Sequence, residues 1–136
     1  MVQAWPTYRP VMLSLVRGLA EAGVEAWIVS ASNHWVIAAA GARLGLPAEQ
    51  TIAVRVEVEG GILTDRLVHP IPCEGGKVAA IDRWIGRRPD LAVGDGLGDL
   101  AMLESAALRL AVGRKASKNA PLLRIARERA WQIYLD

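Results

Sequence analysis

Apolar residues along this chain recur at two alternating periods, one helical and one extended, and the alternation predicts an α/β order. From Val11 to Ala22, Met12, Leu15, Val16 and Leu19 fall at helical spacing, and Gly23 is placed to end that helix. Ala26-Trp27-Ile28-Val29 is a continuous apolar run, the pattern of a strand buried on both faces. It stops at Ser30-Ala31-Ser32-Asn33, a polar cluster suited to cap a helix from His34 to Leu44, which Gly45 and Pro47 close. Thr51 to Glu59 alternates, with Ile52, Val54, Val56 and Val58 on one face and Arg55, Glu57 and Glu59 on the other, which predicts one half-buried strand. Gly60-Gly61 then turns the chain into Ile62-Leu63-Thr64 as a β-hairpin.

The second half repeats the alternation. Pro70, Pro72 and Gly75-Gly76 form a loop before a helix from Lys77 to Ile85, with Val78, Ile81, Trp84 and Ile85 on its apolar face. Leu91-Ala92-Val93 is a short buried strand that runs into a glycine-rich turn, followed by a helix from Asp99 to Ala107 and a strand from Leu108 to Val112. A helix from Ala116 to Arg127, interrupted near Pro121, and a strand from Trp131 to Leu135 complete the chain. Met1 to Pro10, with two prolines, carries no strand pattern. Such an order predicts an α/β domain spanning 1–136, with a Rossmann-like parallel sheet, helices on both faces and a β-hairpin. Ligands of such sheets bind at the carboxyl ends of strands, and Ser30 and Asp95 both fall just past the end of a predicted buried strand.

Composition narrows the classes without changing that picture. A length of 136 residues can bury a core without disulfides, and 52% apolar with 22% charged residues is globular rather than disordered. A net charge of +2 from dispersed arginines does not predict a nucleic-acid partner, and Arg83, Arg87 and Arg88 read as a solvated helix face. Cys73, the one cysteine, rules out an internal disulfide framework and fits a reducing compartment. With no signal-peptide pattern and no apolar segment of spanning length, the expectation is a cytoplasmic protein without a membrane partner. Phe is absent, so five Trp supply most of the aromatic packing.

Candidate chemistry gathers at three places. Ser30, between a strand and a helix, offers a hydroxyl beside backbone N–H groups that could hold a phosphate oxygen, or could simply cap the helix. Lys77 opens a helix, where a cation opposes the helix dipole and gains from a nearby anion. In Gly94-Asp95-Gly96-Leu97-Gly98-Asp99, one carboxylate stands at a strand end and a second follows four residues later. That pair suits Mg²⁺, a hard cation that takes one or two carboxylates plus waters and phosphate oxygens. His34 and Trp35 could line the same site, although helix packing accounts for Trp35 as well.

Taken in order, these motifs resemble the haloacid dehalogenase-like (HAD) superfamily of phosphohydrolases. Trp27 to Ser32 resembles its second motif, Lys77 after Gly75-Gly76 its third, and Gly94 to Asp99 its fourth. The hairpin around Gly60-Gly61 followed by Pro72-Cys73-Glu74-Gly75-Gly76-Lys77 is similar to the branch containing phosphoserine and phosphorylcholine phosphatases. The resemblance runs from about Pro10 onward and implies Mg²⁺-dependent hydrolysis of a small phosphorylated substrate. In it, Ser30 and Ala31 would bind the phosphoryl group, and Lys77 would bridge that group and a nucleophilic carboxylate. Asp95 would ligate Mg²⁺, and Asp99 would hold the metal or its waters, or orient Lys77.

The family's first motif, an Asp-x-Asp that carries the nucleophile, has no counterpart: Asp occurs only at 65, 82, 90, 95, 99 and 136. The cap that usually follows it is missing too, and Gly98 stands where phosphoserine phosphatases carry Asn. The expectation is therefore an incomplete HAD core, inactive alone. A longer reading frame or another polypeptide would then supply the nucleophile. The alternatives are a non-catalytic Mg²⁺- and phosphate-binding module and, more weakly, a nucleotide or flavin binder, which would need a glycine-rich loop where Ser30-Ala31-Ser32-Asn33 stands. The missing strand would lie between those ending at Ser30 and Asp95. Those two strands are thus expected to pair directly, or to receive a partner chain or a second copy between them.

Overall fold

A computed structural model describes residues 7–136 of the chain. Most of the expectation for Met1 to Pro10 lies outside the described residues. Pro10 begins helix α1 (Pro10–Glu21), where its missing N–H costs no intrahelical bond, and Gly23 follows the helix with φ 71°. Strand β1 (Ile28–Asn33) continues through the polar cluster that was expected to stop it, and is irregular between Ser30 and Asn33. The cap reading holds for Asn33, whose side chain accepts hydrogen bonds from the Trp35 and Val36 N–H groups at the start of α2 (His34–Ala42).

The expected single strand from Thr51 to Glu59 is two strands. Strand β2 (Thr51–Val54) runs parallel to β1, whereas β3 (Val56–Glu59) pairs antiparallel with β4 (Ile62–Leu67). The chain changes partners at Arg55, whose carbonyl accepts from Val68 N–H at 2.9 Å. Continuous apolar alternation carries no mark of that exchange. The hairpin turn at Gly60 and Gly61 forms as expected, with φ 56° and 80°.

Helix α3 (Gly76–Trp84) leads to β5 (Leu91–Gly94), a 3₁₀ turn at Leu97–Asp99 and α4 (Leu100–Ser105). Strand β6 (Leu108–Gly113), α5 (Pro121–Glu128), begun at Pro121, and β7 (Gln132–Leu135) complete the order. β5, β6 and β7 form an all-parallel sheet. The core lies on this half, where Ile81, Leu103, Leu122 and Leu123 are at most 2% exposed. Each such side chain stabilises the fold by roughly 1.5–3 kcal/mol through burial. Parallel pairing with helices on both sides gives the Rossmann-like α/β architecture.

The two parallel units are separate. β1 pairs only with β2, and β5 only with β6, so the expected direct pairing of β1 with β5 does not occur. A cleft of about 600 Å³ lies between their free edges, and among the described residues no strand enters it. Met12, Leu15, Val16 and Leu19 of α1, Ile81 of α3, Ile85 just after it and Met102 of α4 line the cleft together with both strands. Helix α3 packs on β1 and β2 as well as on α4, and so touches both units. The apolar face of α1 is directed at this cleft, and α1 has no buried residue. For the same reason β1 is only half-buried through Ile28 to Ser30, rather than covered on both faces.

Candidate active site at the strand ends

Lys77 sits in the first turn of α3. Gly76 packs so tightly that a Cβ there would lie 2.1 Å from the Ile71 carbonyl oxygen, which fixes where the helix begins. The Lys77 side chain is 8% exposed. Its Nζ donates to the Val29 carbonyl of β1 at 3.2 Å and to Asp99 Oδ1 at 2.6 Å. One lysine thus ties β1 to the turn after β5.

Asp99 is fully engaged. Its Oδ1 accepts from Lys77, and its Oδ2 accepts from the backbone N–H groups of Asp95 at 3.0 Å and Gly96 at 3.3 Å. Gly94 permits this arrangement, since a Cβ there would stand 2.5 Å from Asp99 Cβ. Asp95 is the open carboxylate of the turn: its side chain is 65% exposed and faces Arg9 at 3.7 Å. Ser30 lines the cleft mouth with Lys77, Asp95 and Asp99, and its Oγ accepts from Ser32 N–H at 3.1 Å. Ser30 lies within β1 rather than beyond its end, and it is Asn33 that caps the helix.

Ala31 is exposed and does not line the cleft, and neither do His34 and Trp35. Trp35 is 40% exposed, with its ring edge-on to His34. Among the described residues no group of three or more His, Cys, Asp and Glu side chains could hold a metal ion. Mg²⁺ does not require one, because waters and substrate oxygens complete its shell.

Arg9 was not anticipated. Its NH1 donates to both carboxylate oxygens of Asp136 at 2.8 Å and to the Gly113 carbonyl at 3.3 Å. Next to it, Tyr8 donates to the Ala40 carbonyl of α2 at 2.9 Å. Tyr8 and Arg9, just before α1, therefore contact both units. Arg9 and Asp136 are 127 positions apart, so only the folded topology brings them together.

A parallel α/β domain with polar and charged side chains collected at its strand ends belongs to the Rossmann-like class. Within that class, the chain belongs to the haloacid dehalogenase-like hydrolase family, whose model matches residues 1–104. No curated protein matches the chain. Among solved structures, it is similar to a protein of unknown function from Bordetella pertussis Tohama I, at 27% identity and TM-score 0.75 over 91% of this chain. A phosphoserine phosphohydrolase-like protein from Francisella tularensis subsp. tularensis SCHU S4 aligns at 21% identity, TM-score 0.68, over 92% of this chain. A substrate-bound phosphoserine phosphatase aligns at 24% identity, TM-score 0.61, over 91%. At those identities the last two bear on the fold. The chain spans 56%, 57% and 57% of the lengths of these three structures. No helix among the described residues is long and apolar enough to cross a membrane.

Proposed function

We propose that this chain is the Mg²⁺- and phosphate-binding part of a phosphomonoester hydrolase. The observation that carries the reading is Lys77: a nearly buried ammonium at the cleft mouth that spends two of its three N–H donors on Val29 and Asp99. The third is free for a phosphate oxygen, with the Ser30 hydroxyl lining the same mouth. Ser30 and the Ala31 backbone would hold the phosphoryl group, and Lys77 would offset its charge. Asp95 offers the hard oxygen donor that Mg²⁺ prefers, and the bound ion would neutralise further phosphate charge. Asp99, both oxygens engaged, fits the task of orienting Lys77 better than that of a direct metal ligand.

Calorimetry with MgCl₂ and inorganic phosphate tests this on the wild type and on Asp95→Asn. The expected result is a saturable heat for wild type that requires both ions and is lost in the variant. Equal heats in both proteins would overturn the reading.

A second, compatible reading is that the cleft receives the strand carrying the nucleophile. It is favoured by the facing free edges of β1 and β5 and by the unburied apolar face of α1. A cytoplasmic setting and a small phosphorylated substrate accompany it, and a second copy of the chain is the competing occupant. A synthetic apolar strand ending in Asp-x-Asp, added with Mg²⁺, is expected to produce hydrolysis of p-nitrophenyl phosphate. The peptide with Asn at the first acidic position should produce none. Saturable binding of the acidic peptide without turnover would sink the catalytic part of this reading and leave strand docking standing.

A further inference from the structure

A second cavity, of about 350 Å³, lies against β2, on the side of the β1–β2 unit away from the cleft edge. That volume is within the range of small-molecule sites. Its wall carries two tryptophans, Trp27 and Trp84, with Ile52 and Val68 between. The Arg55 guanidinium lies over the Trp84 ring, 4.6 Å from its centroid, and has no carboxylate partner among the described residues. His34 and Thr51 also line the cavity, but His34 Nδ1 and Thr51 Oγ1 are buried from solvent and do not face it. Thr51 is 6% exposed.

An aromatic wall and a stacked cation without a carboxylate partner share one cavity. A half-buried guanidinium stacked on one face keeps its N–H edge open to an anion. Burial and the nearby Arg55 hold the His34 imidazole below its ordinary pKa, so at neutral pH the ring brings no charge of its own. Arg55 then remains the cation of the lining, half-buried and stacked, with its N–H edge able to take a carboxylate in a fork. Glu49, exposed in the same lining, opposes a second negative charge on the ligand.

We propose that this cavity binds a small monocarboxylate with a flat apolar body, its carboxylate on Arg55 and its body against Trp27 and Trp84. The site is independent of the phosphate reading, since none of the cleft-mouth residues Ser30, Lys77, Asp95 and Asp99 lines it. Trp27 borders both cavities, so occupancy here has a physical route to the β1 edge of the cleft.

Benzoate, benzamide and benzamidine serve as probes of one shape and three charges. Titration calorimetry is expected to give saturable binding for benzoate, about tenfold weaker for benzamide, and none for benzamidine. Arg55→Gln keeps the length of the side chain and should bring benzoate down to the benzamide level, with circular dichroism checking that the variant is folded. Amide chemical-shift changes on wild type locate the site whether or not the variant folds. Benzoate should move Ala53 and Val68, and leave Lys77 and Asp95 in place. No saturable benzoate binding, equal affinity for benzamidine, or shifts confined to Ser30, Lys77 and Asp95 would overturn the proposal.

Discussion

Replacing Asp99 with alanine is expected to lower the stability of the folded chain by about 3–5 kcal/mol, read as a shift in the urea midpoint at unchanged slope. The Lys77 and Asp99 side chains are 8% and 15% exposed, so water cannot easily replace the lost carboxylate. The ammonium would keep only the Val29 carbonyl at 3.2 Å. Two backbone donors, Asp95 N–H and Gly96 N–H, would lose their acceptor at the same time. Asp99→Asn should carry most of the same loss. An amide can present its oxygen to Lys77 or to the two backbone N–H groups, but its NH₂ then meets donors on the other side.

The source of the loss can be separated from simple truncation. Lys77→Met removes the buried charge, so Asp99→Ala in the Lys77→Met background should cost less than in wild type, by about 2 kcal/mol or more. If Asp99→Ala alone costs under about 1 kcal/mol, the ammonium reaches water and is not the desolvated group described above. The phosphate reading makes a linked demand on the same pair. Asp99→Ala protein, at concentrations of urea where it remains folded, should also fail to give heat with MgCl₂ and phosphate, because Lys77 is no longer held at the cleft mouth.

The site was legible in the sequence to the extent that its parts are local. Strand, glycine turn and second carboxylate lie within nine residues, Leu91 to Asp99, and short-range geometry alone brings Asp99 back onto Asp95 N–H. Helix periods and caps were legible for the same reason, since Asn33 and Gly23 act on their immediate neighbours, whereas Pro121 starts α5 rather than interrupting a helix from Ala116. Exchange of strand partners at Arg55 was not legible, because the alternation of apolar residues continues unbroken from β2 into β3. Neither was Arg9, whose partners lie at the other end of the chain and become neighbours only when β6 and β7 are in place. The separation of β1 from β5 was not legible either: each pairs with its own neighbour, and an apolar run carries no mark of which strand it will pair with.

Gly94→Ala is the second large effect expected, and it tests the turn without changing any charge. The new Cβ would stand 2.5 Å from Asp99 Cβ and 2.9 Å from its Cγ and Oδ2, closer than packed atoms approach. Strand β5 is paired with β6 in register through Gly94, so the backbone cannot easily retreat, and Asp99 must move instead. Moving it strains or breaks three contacts at once: Lys77 Nζ, Asp95 N–H and Gly96 N–H. A loss of about 2–4 kcal/mol is expected in denaturation, combining overpacking with weakened bonds to a charged group. Gly98→Ala is the matched control. It lies in the same turn, has open space where its Cβ would go, and should fall within about 0.5 kcal/mol of wild type. Equal effects at the two positions would mean that the turn is sensitive to glycine for its backbone freedom alone. A large effect at Gly94 with none at Gly98 would show that the strand end needs glycine to let Asp99 reach Lys77, the contact on which the proposed phosphate site rests.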